Sequence, residues 1–412
     1  MPPPLSDDGK IRVVVTGLSV ISPIGIGAES FWKAAVAGRV GTGEITQFDT
    51  SACLTHRGGE VKDFDPASFI RQTSCSQLSR SGQFAVAVTQ MAIADASLSV
   101  AEEDCTRIGV CFGLVLGNRP TLEAQLRDLH SRKDAIGDDV EVRLPDPAEV
   151  SRAPAAEFNL QGPNATLANA CAAGNTAISF GMDMIQAGRA DVMIAGGADE
   201  LSPAMFIMFN RFQALAADVV RPFDRNRKGL MLSEGAGALI LESLEHAHRR
   251  QARIYCEVRG HGHFSDAYHM TAPHPKGLGA VRAMRTALQT ARLRPQDVDH
   301  INAHGTGTVL NDLIESQAIH EVFGDAARSV PVSSIKAMVG HTQGAASSIE
   351  ATTCVLTIRD NIIPPTMNLE DPDPQCDLDV VANVARSSQV SSVLNNSFGF
   401  GGNVSSVLFA RL

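Results

Sequence analysis

Short apolar runs rich in β-branched residues recur along the 412-residue chain, as IRVVVTG at 11–17, IGVCFG at 108–113, VMIAGG at 192–197 and ALILE at 238–242. Runs of this length without polar alternation predict strands covered on both faces by helices. Between them, SGQFAVAVTQMAIADA (81–96) and NTAISFGMDMIQAG (175–188) place apolar residues at helical spacing. The second half repeats the grammar. HINAHG (300–305), VPVSSI (330–335), SSVLNNS (391–397) and VSSVLFA (404–410) predict strands, and GAVRAMRTALQTARL (279–293) and SSIEATTCVLTIRD (347–360) predict helices. The alternation predicts an α/β protein of two halves, 11–253 and 254–412, stacked as a duplicated layered fold. Residue identity between the halves is too weak to establish duplication by itself.

Two segments break the pattern. Residues 1–10 are Pro-rich and acidic and are expected to be a disordered leader. Residues 117–156 are charged and carry Pro145, Pro147 and Pro154, which predicts an excursion over the surface without regular structure.

Charge narrows the partners. A net charge of -10 argues against a surface that tracks nucleic-acid phosphates. Neither a signal peptide nor a window of about 20 apolar residues is present, so the expected location is the cytoplasm, with no membrane partner. The eight cysteines are scattered without CxxC pairs, which predicts reduced thiols rather than a zinc site or disulfide scaffold.

Three segments carry candidate chemistry. GPNATLANACAAGN (162–175) runs from a turn through a short strand into small residues that begin a helix, and Cys171 sits at that junction. Unpaired amides and the helix dipole there favour a thiolate, and small neighbours admit a substrate, although a lone thiol is commonly a structural residue. His304 follows a strand in NAHGTGTVLND, and His341 follows another in SSIKAMVGHTQGAAS, both in strand-end loops of the kind that hold catalytic groups. NNSFGFGGNVSS (395–406) can aim backbone N–H groups into a site around Phe398 and Phe400. No nucleotide-binding GxGxxG or GxxxxGK[ST] and no metal-binding HExxH occurs.

Taken together, ACAAG at Cys171, AHGTGT with Asn311 and Asp312, SSIKAMVGH and NSFGFGG resemble, in order and spacing, the signatures of the β-ketoacyl synthases of the thiolase superfamily. VVVTGLSVISPIG, RADVMIAGGAD, RPFDRNRKG and DAYHMTAPHP support the likeness, which covers 11–412. It is strongest to the free-standing elongating enzymes of type II fatty acid synthesis and their type II polyketide relatives. The resemblance implies a thiolase-like α-β-α-β-α fold and a decarboxylative Claisen condensation of malonyl-carrier with a cysteine-bound acyl chain. It implies Cys171, His304 and His341 as the catalytic trio, a buried ion pair of Lys336 with Glu315, and Asp312 in support. Thr306, Thr308 and Phe398 fall where substrate is bound. The N–H groups of Cys171 and Phe400 form the oxyanion hole, with Phe400 as a gate. No resident cofactor or metal is implied, because phosphopantetheine arrives on the acyl carrier protein. A homodimer, or a heterodimer with a homologous subunit, is expected.

The chain departs from the family at several positions. RDGF is RKGL here, giving Lys228 and Leu230; the first Gly of GEGAG is Ser233; and GFGGTN is GFGGNV, with Asn403 and Val404. A basic cluster that receives the carrier in relatives is CSQLSRS at 75–81, so docking falls to Arg71, Arg221, Arg225, Arg227 and Lys228 or to a partner subunit. A non-catalytic chain-length subunit is the alternative reading, opposed by the retained Cys171, His304 and His341. A thiolase fits less well, lacking the second histidine in the GHTQGAA context.

Overall fold

The structure is a computed structural model that describes residues 5–6, 9–117, 119–131 and 146–412. In chain order the first half contributes strands Val13–Ser22, Ile108–Gly113, Asn164–Leu167, Val192–Asp199 and Gly235–Ser243. Across the sheet they lie in the order third, second, fourth, fifth, first. The second half contributes Cys256–Ser265, His300–Asn302, Pro331–Ser333, Ser392–Gly399 and Asn403–Ala410, which lie in the same order. Directions repeat as well. In each half the second strand is parallel to the third and fourth, and the fifth runs antiparallel to the fourth and first. The two first strands meet back to back through Val14 with Glu257 and Val15 with Cys256. This repeated order establishes the duplication that residue identity left open.

Apart from the edge strand Asn164–Leu167, most strands have two buried faces, and successive residues serve different cores. Val192 and Ile194 pack outward with the helix Arg80–Asp95, while Met193 and Ala195 pack inward. Leu394 and Leu408 face the outer helices Leu278–Ala291 and Val309–Phe323, while Val393 and Val407 face inward. The inner core holds the helices Ala173–Gln186 and Ala346–Asp360, giving the expected α-β-α-β-α layers. Ala346–Asp360 is buried along nearly its whole length, as a helix between two sheets must be. The two central helices touch closely at Gly174, where a Cβ would lie 2.6 Å from the Ser348 N.

The chain 117–156 differs from its expected irregular course. Arg119–Ser131 is a surface helix with no buried residue, and Glu149–Phe158 is a second helix that continues through Pro154; residues 118 and 132–145 lie outside the described residues. Charge misled the reading because Glu149 and Glu157 are buried. Glu149 accepts from the Ser79 N–H at 2.8 Å, and Glu157 from those of Arg71, Gln72 and Thr73 at 2.6–2.9 Å. The expected leader falls largely outside the described residues; Leu5 pairs with Ile11 in a single antiparallel bridge.

Candidate active site

Cys171 stands at the turn between strand Asn164–Leu167 and helix Ala173–Gln186. Ala170 before it has φ +56°, a left-handed conformation rare for a residue with a Cβ, and a single 3-10 turn, Ala170–Ala172, leads into the helix. Gln343 has the same φ at the start of the other central helix, so the strained turn is a feature of the duplication. The Cys171 carbonyl is held by the Ser347 and Ser397 hydroxyls at 3.1 and 2.9 Å.

The Gly-rich loop closes over this turn. A Cβ on Gly399 would lie 2.9 Å from both the Cys171 N and the Ala170 Cβ, so only glycine allows the approach. The Phe400 N–H and that of Cys171 itself favour the charged form of the thiol. The Phe400 ring stacks on Phe209 at 5.5 Å, and Asn403, one of the family departures, bonds the Phe400 carbonyl at 3.0 Å and keeps the turn.

The expectation of a helix-lowered thiol pKa is corrected by the surroundings. Burial pushes the Cys171 thiol up to about 11, against the opposing pull of the Lys336 charge and the Phe400 N–H. The resting sulfur is therefore a thiol.

His304 and His341 come from the second half. The Cys171 Sγ and one ring nitrogen of each histidine all lie within 4.8 Å of one another, and the two rings stand 5.5 Å apart. Glu315 fixes the His304 loop, its two oxygens accepting from the His304 and Gly305 N–H groups at 2.8 Å each. Lys336 donates to the His304 carbonyl at 2.7 Å and to its Nδ1 at 3.2 Å. The Gln343 N–H donates to Nδ1 of His341 at 3.0 Å. Ammonium and amide groups only donate, so Nδ1 accepts in both rings and the proton sits on Nε2. Burial, followed by the Lys336 charge, drives His341 down to about 3 and His304 well below its ordinary value. Both are neutral N–H donors at physiological pH.

The expected ion pair of Lys336 with Glu315 is not formed. Lys336 pairs with Glu350 of the central helix Ala346–Asp360, while Glu315 spends both oxygens on backbone amides. Glu350 was missed, although a lone charge inside an apolar buried helix is a signal for a paired site. Asp312 accepts from the Phe223 and Gly307 N–H groups at 2.9 and 3.3 Å, which supports the same loop. Thr306 and Thr308 bond each other at 2.9 Å and, with Phe398, line a cavity of about 440 Å³ that reaches Cys171. Leu230 lines it too, packed beside Phe206 and Phe209. Arg227 is corrected as a docking residue, since it is buried and bonded to Asp373 at 2.6 Å.

A cysteine and two histidines also have the chemistry of a zinc ligand set. The hydrogen bonds oppose that use, because Nε2 carries the proton in both rings and presents no lone pair. The arrangement suits donation to a negative oxygen beside a thiol.

A duplicated five-layer fold with a cysteine at one central helix start defines the thiolase-like class of condensing enzymes. Residues 10–247 match the family described as Beta-ketoacyl synthase, N-terminal domain, and 255–370 its C-terminal domain. The chain is 41% identical over 409 residues to a 3-oxoacyl-acyl-carrier-protein synthase 2 of Synechocystis sp., covering 98% of each. Among solved structures, the ishigamide ketosynthase/chain length factor superposes with a TM-score of 0.94 at 40% identity, covering 98% of this chain and 100% of that one. A type II polyketide synthase acyl-carrier protein in complex with its ketosynthase bound to the hexaketide gives 0.89 at 32% identity, with coverage of 98% and 100%. The chain belongs to the β-ketoacyl synthase family, acyltransferases that join acyl units by condensation.

Proposed function

We propose that this chain extends acyl groups delivered by an acyl carrier protein, using Cys171 as nucleophile and His304 and His341 as donors to an enolate. The observation that carries the reading is the meeting of the Cys171 sulfur and the two imidazoles within 4.8 Å. In the first half-reaction the sulfur attacks the acyl thioester carbonyl, whose oxygen is held by the N–H groups of Cys171 and Phe400. The carbon–sulfur bond to the phosphopantetheine breaks, and the Cys171 proton ends on that departing thiol. In the second, malonyl-carrier loses carbon dioxide, and the Nε2–H groups of His304 and His341 stabilise the enolate oxygen. The enolate carbon attacks the acyl-Cys171 carbonyl, the Cys171 sulfur leaves and takes a proton from water, and the β-ketoacyl chain departs two carbons longer on the carrier.

Phosphopantetheine is supplied by the carrier in this scheme, and no metal takes part. With Arg227 buried, the exposed cations left for docking include Arg71, Arg225 and Lys228. Strand Asn164–Leu167 ends the sheet with a free edge among the described residues, which supports pairing there with a second copy or a homologous subunit. Pairing with a chain-length subunit is favoured by a solved relative at 40% identity described as a ketosynthase/chain length factor. No helix among the described residues is long and apolar enough to cross a membrane, and we place the enzyme in the cytoplasm.

The test is elongation itself. Purified chain, with and without a homologous partner, is mixed with acyl-carrier and malonyl-carrier, and the carrier is weighed by mass spectrometry. A β-ketoacyl carrier two carbons longer is expected, lost in Cys171→Ala. Elongation that survives Cys171→Ala would remove the proposed nucleophile.

A further inference from the structure

The loop from Arg221 to Lys228 carries four cations, and three of them are matched within the protein. Arg221 bonds Asp218 at 2.7 Å, Arg225 lies 3.6 Å from Asp371, and Arg227 is buried against Asp373. Lys228 is different. It is exposed, has no hydrogen-bond or ion-pair partner among the described residues, and lines the cavity that reaches Cys171.

Its position is held by the site itself. The Gly229 N–H donates to the Gly307 carbonyl at 3.0 Å, which fastens Lys228 to the loop that carries Thr306 and Thr308. Elsewhere the wall is dominated by apolar residues such as Leu230, Phe398 and Phe400. Its other ionisable groups offer no match: the Asp266 carboxylate accepts the His274 and Gly279 N–H groups at 2.9 Å each, and both histidines are neutral. A single unmatched ammonium on such a wall, in a chain of net charge -10, is a place for an anionic group of the ligand.

The substrates proposed above carry two anions. The malonyl carboxylate sits at the buried end, among the Nε2–H donors. The phosphodiester sits at the far end of the arm, and the exposed Lys228 is at the open end of the cavity. We infer that Lys228 binds the phosphodiester of the phosphopantetheine arm, so that the enzyme reads the phosphate as well as the carrier. This rests on the proposed function and adds a contact to it.

The test uses one acyl group on three supports: pantetheine, 4′-phosphopantetheine and the carrier protein. The rate of Cys171 acylation is followed by mass spectrometry. The quantity read is the ratio of kcat/KM for phosphopantetheine over pantetheine thioester, in which any general loss of activity cancels. Wild type is expected to favour the phosphorylated thioester by about threefold to tenfold, as for a partly exposed charge-assisted bond. Lys228→Gln should bring the ratio close to one, and Lys228→Arg should keep it.

Three outcomes overturn the inference and leave the proposed function standing. A ratio untouched by Lys228→Gln shows that the phosphate is not read there. A loss confined to the carrier-bound substrate assigns Lys228 to the carrier surface instead. A loss with malonyl-pantetheine, which has no phosphate, assigns it to the carboxylate. A wild-type chain that accepts no thioester at all overturns the proposed function along with this contact, whereas an active wild type with an unmoved ratio overturns the contact alone.

Discussion

Lys336 donates to Nδ1 of His304 at 3.2 Å, and this contact decides which nitrogen of the imidazole carries its proton. The same ammonium is paired with Glu350, so tautomer and ion pair depend on one side chain. Lys336→Met leaves the Glu350 carboxylate buried without its partner and should cost about 3–5 kcal/mol of folding stability. Adding Glu350→Gln should restore much of that stability, read by urea denaturation, while malonyl decarboxylation stays low because His304 is still unanchored. Recovery of decarboxylation together with stability would show that Lys336 acts only through the fold.

The two histidines carry a pH signature. His341 is pushed down to about 3 and His304 well below its ordinary value, chiefly by burial. A lowered pKa means that protonation, and the loss of the acceptor role of Nδ1, comes only in strong acid. The histidines should therefore add no step to malonyl decarboxylation between pH 5 and 8, where the site groups that titrate are Glu315 and Glu350, each pushed up to about 7 by burial. A fall near pH 6.5 that persists in both Glu315→Gln and Glu350→Gln would contradict the neutral Nε2–H assignment. His304→Ala or His341→Ala should slow decarboxylation by about a hundredfold or more, and more than they slow Cys171 acylation by a thioester.

Cys171 should behave as a thiol rather than a standing thiolate. With its pKa pushed up to about 11 by burial, the reactive fraction grows with every step of pH from 7 to 10. Alkylation of Cys171 by iodoacetamide, followed by peptide mapping, should rise by about tenfold per pH unit over that range. A rate already level at pH 7 would show that the helix terminus and the Phe400 N–H win over burial.

Much of this architecture is legible in the sequence because both halves are sheets buried on two faces, and such strands read as unbroken apolar runs. Ile108–Gly113 has the bounds expected, and the predicted helix 347–360 starts one residue late. The helix Val309–Phe323 was not predicted, since its pattern is inverted. Val309 and Leu310 are 58% and 56% exposed, whereas Asp312 and Glu315 are fully buried because they hold the loop of His304. The trio itself could be picked out by motif, because Cys171, His304 and His341 each follow a strand. The partner of Lys336 could not, since Glu315 and Glu350 lie on different helices and only three-dimensional packing tells which one faces the ammonium. The raised thiol was equally hidden, being a property of burial rather than of neighbours in sequence.

Stability should depend on pH through His246, away from the site. Burial lowers its pKa, but Glu242 at 2.5 Å and Glu103 at 3.1 Å outweigh it, and the net shift is upward from 6.5. A raised pKa contributes stability that is complete below 6.5 and is lost as pH rises through the folded value. Burial opposes ionisation of Glu242 too, yet Arg250, His246 and Thr16 bring it to about 2, so its share is lost only as pH falls below 4.5 toward 2. His246→Gln should therefore cost most between pH 5 and 6, about 1–3 kcal/mol by urea denaturation, and progressively less above neutrality. A penalty that does not shrink with rising pH would assign His246 a packing role alone.

Gly399 offers a way to separate the two half-reactions. A methyl group there would lie 2.9 Å from the Cys171 N and the Ala170 Cβ, where two segments of backbone meet and neither can yield cheaply. Gly399→Ala should push the loop away from Cys171 and carry the Phe400 N–H off the sulfur, removing one of the two donors proposed for the acyl oxyanion. Loss of such a donor slows acylation by about a hundredfold to a thousandfold. Decarboxylation draws on the Nε2–H groups of His304 and His341, whose hydrogen bonds come from Lys336, Glu315 and Gln343, while this loop meets His304 through the Phe398 ring at 5.8 Å. In Gly399→Ala, malonyl decarboxylation should consequently fall far less than the acylation of Cys171, with both rates measured on protein shown by thermal denaturation to be folded. If the two rates drop together, the Gly-rich loop serves the whole pocket, and the Phe400 amide has no special claim on the oxyanion.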